Sequence, residues 1–228
     1  MGFHFDQAKT FAHGQEDFSY WHQGRSHYAV WAIKMADRAI AQRVDDARRH
    51  LADVLLPGYV RQLHVTLTVC GFPNVIRQYA DDFLPVDLAK QEQVLNAAKV
   101  RPFVIEIDSL DSFAGAPFLR VIDCDQGIAR LRACLDASLF EQFGFCYTPH
   151  LTIGLYGRSI AEKTLLALLR GFKTTAPLRF EVNAIHWVRY EARDIGGPLE
   201  SLAEYSLEEN CLFWKVDAPF GVDQNNGS

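Results

Sequence analysis

A short polar pattern occurs twice in this chain, each time inside an apolar run. Residues 64–67 read His-Val-Thr-Leu, and residues 150–153 read His-Leu-Thr-Ile. Side chains alternate between the two faces of a β-strand, so each copy places its histidine and threonine on one face and its apolar residues on the other. One copy alone is equally typical of a strand with a satisfied polar face. Two copies favour a site built from two facing strands.

The two copies occupy matching places in a repeated order of elements. Apolar periodicity predicts a strand over 28–34 and a helix over 40–55 before the first copy, then a strand over 118–123 and a helix over 128–139 before the second. Each histidine follows the start of its preceding strand at a similar distance, 36 residues in the first half and 32 in the second. Two similar halves are expected to bring the two histidines face to face.

Capping and turn residues delimit the first helix. Asp37 is predicted to cap it, and Pro57-Gly58 to end it. After the first copy, the sequence predicts a helix over 86–98 and a strand over 103–108. After the second copy, it predicts a helix over 162–169 and a strand over 178–190.

These motifs resemble the hallmark of the two-histidine phosphoesterase family, also called the LigT-like or 2′-5′ RNA ligase-like family. Its paired His-x-Thr motifs with apolar flanks correspond here to residues 63–67 and 149–153, and the resemblance covers residues 27–216. It implies an α+β, two-lobed, pseudo-symmetric fold. Each lobe would be a mainly antiparallel sheet with flanking helices, and both motifs would line an active-site cleft between the lobes.

The resemblance also implies a domain layout. Residues 27–216 would form one two-lobed domain, with halves at 27–110 and 116–190 and a final strand region at 200–216. Residues 1–26 are too aromatic for a solvated tail, so they are expected to pack on the body, as a lid over the cleft or as a brace. Residues 217–228 are expected to fray.

By resemblance, His64 and His150 form an acid/base pair, and Thr66 and Thr152 bind the substrate phosphate. Imidazole, with an unperturbed pKa of about 6.5, both accepts and donates protons near neutral pH. Threonine hydroxyls donate hydrogen bonds to non-bridging phosphate oxygens. Which histidine is the acid is left open.

Other residues are weaker candidates for substrate binding. Strand alternation counted on from His150 places Tyr156 towards the cleft, with core packing as the alternative. Arg61 and Arg158 flank the motif strands, and Arg120 lies in a strand that is expected to be near the cleft. Surface exposure or ion pairing is the alternative for each arginine.

Net charge and the missing motifs narrow the chemistry. A formal charge of −5 argues against a broad grip on long RNA. RNA ends, short oligonucleotides or small cyclic nucleotide phosphates are the expected partners. Neither motif has a second ligand at metal-binding spacing, so no metal and no cofactor is expected. The expected function is hydrolysis of 2′,3′-cyclic phosphates of RNA ends or nucleotides, or of 2′-5′ phosphodiesters. The alternatives are 2′-5′ RNA ligation, which is the reverse reaction, and binding of nucleotides or RNA ends without catalysis.

Composition also predicts the setting. No apolar run approaches the roughly 20 residues that span a bilayer, and the amino terminus does not resemble a secretory signal. The five cysteines include no Cys-x-x-Cys pair, which favours free thiols in a reducing compartment. A cytoplasmic monomer without an evident protein partner is expected.

Overall fold

Two mainly antiparallel β-sheets and five helices make up the computed structural model, which describes residues 9–14, 18–135, 147–174, 176–217 and 219–220. The described strands are β1 His27–Lys34, β2 His64–Pro73, β3 Asp82–Phe83, β4 Phe103–Ser112, β5 Pro117–Asp123, β6 His150–Thr152, β7 Leu178–Val182, β8 Ala184–Glu191, β9 Glu200–Ser206 and β10 Cys211–Trp214. The described helices are α1 Ser19–His22, α2 Arg38–His50, α3 Pro85–Ala98, α4 Gly127–Cys134 and α5 Glu162–Gly171.

All strands of the second sheet come from one stretch of sequence, which is inserted between two strands of the first sheet. The first sheet has the strand order β10-β9-β8-β1-β2-β3, and the second has the order β6-β5-β4-β7. The chain leaves the first sheet after β3, forms the whole second sheet with β4 to β7, and returns with β8. This arrangement confirms the expected α+β fold of two mainly antiparallel sheets.

The predicted halves do not coincide with the two sheets. Strand β4 lies within 27–110 but belongs to the second sheet, and β8 lies within 116–190 but belongs to the first. The strand predicted over 178–190 is divided at Asn183 into β7 and β8, one in each sheet. Apolar residues stand on both sides of Asn183, at Val182, Ala184 and Ile185, so the sequence shows no clear end of a strand there. A hydrophobic pattern also carries no information about which sheet a strand joins.

Helix α2 begins where the sequence predicted and ends earlier. The carboxylate of Asp37 accepts a hydrogen bond from the backbone N–H of Ile40 at 2.9 Å, which confirms the predicted cap. The helix ends at His50, and Leu51 and Val54 reach the core from the turn that follows. Helix α4 ends at Cys134, before the end of the predicted helix. Leu139, the last residue of the predicted apolar stripe, lies outside the described residues.

Each strand that carries a motif pairs with the strand that comes directly before it among the strands of the chain. Strand β2 pairs with β1, and β6 pairs with β5, both antiparallel. The apolar residues of both motifs are buried in the core shared by the two sheets: Val65, Leu67, Leu151 and Ile153. Burial of these residues fixes the register of both strands, because a slip by one residue would turn each histidine into the core.

Two arginines tie the helix of one half to the motif of the other. Arg48 of α2 donates through Nε to the carbonyl of Ile153 at 2.9 Å. Arg132 of α4 is buried and donates through Nη1 to the carbonyl of Leu67. Both carbonyls belong to the residue directly after the motif threonine. The two ties are therefore related by the internal pseudo-symmetry of the chain.

The described part of the amino-terminal segment packs on the body. Phe11 N–H donates to the Ala114 carbonyl at 3.0 Å, and His13 N–H donates to the Tyr156 carbonyl at 2.7 Å. Farther along, the Trp21 ring lies 4.8 Å from the Tyr28 ring. The aromatic residues at positions 3 and 5 lie outside the described residues, as does most of 217–228.

The tie made by Arg132 predicts a large effect on stability. Arg132→Met removes a buried, charged donor to the Leu67 carbonyl, so we expect a loss of about 2–3 kcal/mol in the free energy of unfolding. Arg130→Met, at an exposed position of the same helix, is the matched control and should change stability by less than about 0.5 kcal/mol. Urea denaturation followed by circular dichroism measures both. Equal losses of unfolding free energy in the two variants would contradict the stabilising role expected for the hydrogen bond between Arg132 and Leu67.

Candidate functional site

The two motifs meet where the two sheets adjoin. Strand β2 of the first sheet lies against β6 of the second. His64 and His150 are close enough for a positive charge on His150 to lower the pKa of His64. The structure therefore brings together the two histidines that the sequence paired.

Both imidazoles are oriented in the same way. Nδ1 of His64 lies 2.7 Å from the Gln62 carbonyl oxygen, and Nδ1 of His150 lies 2.7 Å from the Thr148 carbonyl oxygen. A carbonyl only accepts, so Nδ1 carries the proton in each neutral ring. The unprotonated nitrogen is then Nε2, which is the atom that can accept a proton from a ligand.

Burial keeps both rings neutral in the free protein. His64 is only 8% exposed, and desolvation lowers its pKa to about 4. The charges of Arg61 and His150 lower the pKa further, while the Gln62 carbonyl opposes the shift. Desolvation likewise lowers the pKa of His150, against the effect of the Thr148 carbonyl. A bound anion would raise both pKa values, since it favours the protonated form.

His150 is further fixed by two aromatic rings. The Phe113 ring meets the imidazole edge to face at a centroid distance of 4.9 Å, and the Phe118 ring lies 5.5 Å away. Phe113 and Phe118 stack on each other at 4.3 Å. Phe113 lies in the β4–β5 hairpin, next to Ala114, whose carbonyl accepts from Phe11 of the amino-terminal segment. The segment thus supports one wall of the site.

The motif threonines have different tyrosine neighbours. Tyr147 donates through its hydroxyl to the backbone carbonyl of Thr66 at 2.8 Å. On the Thr152 side, burial raises the pKa of Tyr59, while the neighbouring Arg61, Arg48 and Thr152 side chains oppose the rise. The sequence reasoning missed Tyr59. Its only sequence signal is an aromatic residue in the turn before the first motif.

Two arginines lie beside the motifs. Arg61 donates through Nε to the Gly197 carbonyl at 3.1 Å, and its guanidinium lies 4.0 Å above the Tyr190 ring. Arg120 is exposed on β5, directly opposite His150 of β6. Residues directly opposite in antiparallel strands share a face, so Arg120 is on the same face as His150.

The structure does not place Tyr156 towards a cleft. Tyr156 is fully buried, and its hydroxyl pairs with Ser112 Oγ at 2.7 Å. Strand β6 ends at Thr152, so strand alternation does not extend from His150 to Tyr156. The prediction for Tyr156 was wrong for that reason.

Arg158 is also away from the motifs. It is exposed and lines a separate cavity of about 350 Å³ together with His50, Asp53 and Thr164. A turn after β6 carries Arg158 towards α2 and α5. The structure therefore does not bring Arg158 together with either histidine.

Among the described residues, no group of three or more His, Cys, Asp or Glu side chains is arranged to hold a metal ion. The described helices are also too short or too polar to cross a membrane.

The depressed pKa of His64 predicts a pH-dependent stability. The unfolded chain binds a proton at this histidine near pH 6.5, whereas the folded chain does so only near pH 4. Lowering the pH through this window therefore stabilises the unfolded state, by about 3 kcal/mol for this group. We expect wild type to lose more stability than His64→Gln between pH 6.5 and 4 in urea denaturation. A constant difference between the two proteins across that range would show that the pKa is not depressed.

Sequence and structural similarity identify the family of the chain. Residues 36–194, which contain both motifs, match the sequence model of the 2′-5′ RNA ligase superfamily. No curated protein shows significant sequence similarity to the chain. Two solved structures, E. coli LigT complexed with 3′-AMP and E. coli LigT in apo form, each share 14% identity with it, at a TM-score of 0.51. Each match covers 80% of this chain and 98% of LigT, and shows a common fold. The chain belongs to the 2′-5′ RNA ligase superfamily of two-histidine phosphoesterases.

Proposed function

We propose that this protein is a metal-independent phosphoesterase that uses His64 and His150 as an acid/base pair. Its substrates would be 2′,3′-cyclic phosphates of RNA ends or nucleotides, or 2′-5′ phosphodiesters. One observation carries the proposal: two neighbouring, desolvated imidazoles, each with Nδ1 bound to a carbonyl, which leaves Nε2 for proton transfer.

The proposed step for a cyclic phosphate is an in-line displacement. Water attacks phosphorus while one histidine accepts a water proton through Nε2. The other histidine, protonated beforehand, donates its proton to the departing 2′ or 3′ oxygen of the ribose. A P–O bond forms to water and another breaks to ribose, giving a phosphomonoester and a free hydroxyl. The two histidines exchange protonation states and are reset by solvent.

Thr66 and Thr152 would hold the non-bridging phosphate oxygens in this step. Hydroxyl donors placed in advance at these oxygens orient the phosphorus and stabilise the charge that develops on it. Both threonines share a strand face with their histidine and are partly exposed.

The charges near the site favour a small anion. Arg61 lowers the pKa of His64 through its positive charge, and Arg120 shares a face with His150. The formal charge of −5 on the whole chain opposes binding of a long nucleic acid. The same fold binds 3′-AMP in E. coli LigT, which makes nucleotides the first compounds to test.

Reverse joining of a 2′-5′ linkage is the alternative activity, and the name of the matching superfamily favours testing it. A 5′ hydroxyl would then replace water as the attacking group, with the same two histidines. Recognition of nucleotides without turnover is the other alternative.

Loss of either histidine should abolish catalysis. We expect His64→Ala and His150→Ala to lower kcat for 2′,3′-cyclic nucleotides by about 10²–10⁴-fold each, in the presence of a chelator. Turnover is measured by chromatography of the phosphomonoester product. His50→Ala, an exposed histidine of α2, is the control and should retain activity. Chelator-sensitive turnover, or full activity in either motif variant, would contradict the mechanism. Binding without turnover in wild type would favour the recognition module.

The lowered histidine pKa values also predict an acidic optimum. Because both values lie below 6.5 in the free protein, kcat/KM should reach its maximum below pH 6.5 and fall towards higher pH as the acid loses its proton. Arg61→Gln removes a charge that lowers the pKa of His64, so one limb should move to higher pH. Arg189→Gln, which removes an arginine paired with Glu200 on the same sheet, should leave both limbs in place. An optimum above pH 7 would exclude the assigned pair.

A further inference from the structure

Two tyrosines occupy related places in the two halves. Tyr59 precedes the first motif and lies near Arg48 of α2, with the guanidinium 5.8 Å from its ring. Tyr147 precedes the second motif and lies under Arg132 of α4, at 3.4 Å. Each tyrosine thus contacts the arginine that ties its own half to the opposite motif.

The two tyrosines, however, have different surroundings. The Tyr147 hydroxyl is bound to the backbone carbonyl of Thr66, a contact that fixes a strand. Tyr59 instead lies near Arg48, which binds the carbonyl of Ile153, the residue next to Thr152, the group proposed to hold phosphate. Pseudo-symmetry is therefore broken at Tyr59, on the side of the site that contains Thr152.

A cavity of about 330 Å³ opens beside Tyr59. Its walls combine rings and aliphatic side chains with one cation and one carboxylate: Phe18, Leu56, Tyr59, Leu155, Arg193 and Asp194. The volume is at the lower end of the roughly 300–1,000 Å³ typical of small-molecule sites, which suits one nucleoside. Aromatic walls with a few polar groups suit a planar heterocycle that both stacks and hydrogen-bonds.

The cavity is held in place by backbone contacts. Val60 N–H donates to the Gly196 carbonyl at 3.0 Å, which joins the Tyr59 turn to the Arg193–Asp194 turn. His13 N–H donates to the Tyr156 carbonyl at 2.7 Å, which fixes the chain directly before Gly14, another residue of the cavity wall. Such contacts preform the walls before any ligand binds.

We propose that this cavity is the subsite for the nucleobase of the substrate. The Tyr59 ring would form its inner wall, and the Tyr59 hydroxyl would face the phosphate together with Thr152. The identity of the phosphate site rests on the proposed function. Phe18 precedes residues 36–194, the part that matches the superfamily, so base preference would depend on a segment outside the matched region.

Binding measurements test the subsite independently of turnover. The probes are the four 3′-nucleoside monophosphates and inorganic phosphate, titrated by calorimetry into wild type, Phe18→Ala and Arg193→Ala. Loss of a stacking partner for a base weakens binding by about 1–3 kcal/mol, so we expect roughly tenfold weaker binding of the preferred nucleotide, with phosphate binding unchanged. Tyr20→Ala and Arg158→Ala, a 76% exposed tyrosine and an arginine of the other cavity, are the matched controls.

A catalytic readout separates the subsite from the phosphate site. In Phe18→Ala, KM for 2′,3′-cyclic nucleotides should rise while turnover of ethylene phosphate, a cyclic phosphodiester without a base, stays at the wild-type rate. Unchanged nucleotide binding in folded Phe18→Ala and Arg193→Ala, or equal wild-type affinity for phosphate and all four nucleotides, would overturn the subsite while leaving hydrolysis intact. Wild type that binds nucleotides through Phe18 and Arg193 but hydrolyses nothing would support the subsite and overturn the phosphoesterase proposal.

Discussion

The backbone carbonyl after each motif threonine is bound by an arginine from the other half of the molecule. Arg48 reaches Ile153, and Arg132 reaches Leu67. Each tie fixes the strand end next to a histidine and covers it with a helix that its own half does not supply. The second sheet is formed by the chain between β3 and β8. The two ties therefore hold it against the first sheet at the place where both motifs meet. Burial and strand pairing set the register within each sheet, and the two ties add directional hydrogen bonds between the halves that non-directional hydrophobic contacts do not supply.

The packing around the two motif histidines has an electrostatic consequence. The packing that places His64 and His150 next to each other also removes water from them, and desolvation is the largest cause of both lowered pKa values. Two neutral imidazoles can share a small space without repulsion, whereas two imidazolium rings cannot. A site built in this way favours one proton shared between the pair, and an entering anion supplies the charge that retains it. Acid/base asymmetry would then arise from substrate orientation rather than from the protein alone.

Much of this arrangement follows from local sequence. The paired motifs, the cap at Asp37 and the helical stripe of α2 are local patterns, and the structure has each of them. Sheet membership was not predictable, because β7 and β8 read as one continuous strand across Asn183. Tyr156 was misplaced because β6 is only three residues long. Tyr59 and the arginine ties join residues about 65 to 105 positions apart, and no single-sequence periodicity carries contacts at that separation.

The amino-terminal segment shows why lid and brace are not exclusive roles. Through Phe11 it binds the hairpin that carries Phe113 against His150, and through Phe18 it lines the cavity beside Tyr59. Phe11 thus supports the His150 side of the site, and Phe18 lines the proposed nucleobase subsite. Backbone hydrogen bonds at Thr10, Phe11 and His13 hold this segment to the body, and detachment would break all three. Within the described residues, Phe11 therefore supports the hairpin beside His150, whereas Phe18 shapes the cavity beside Tyr59.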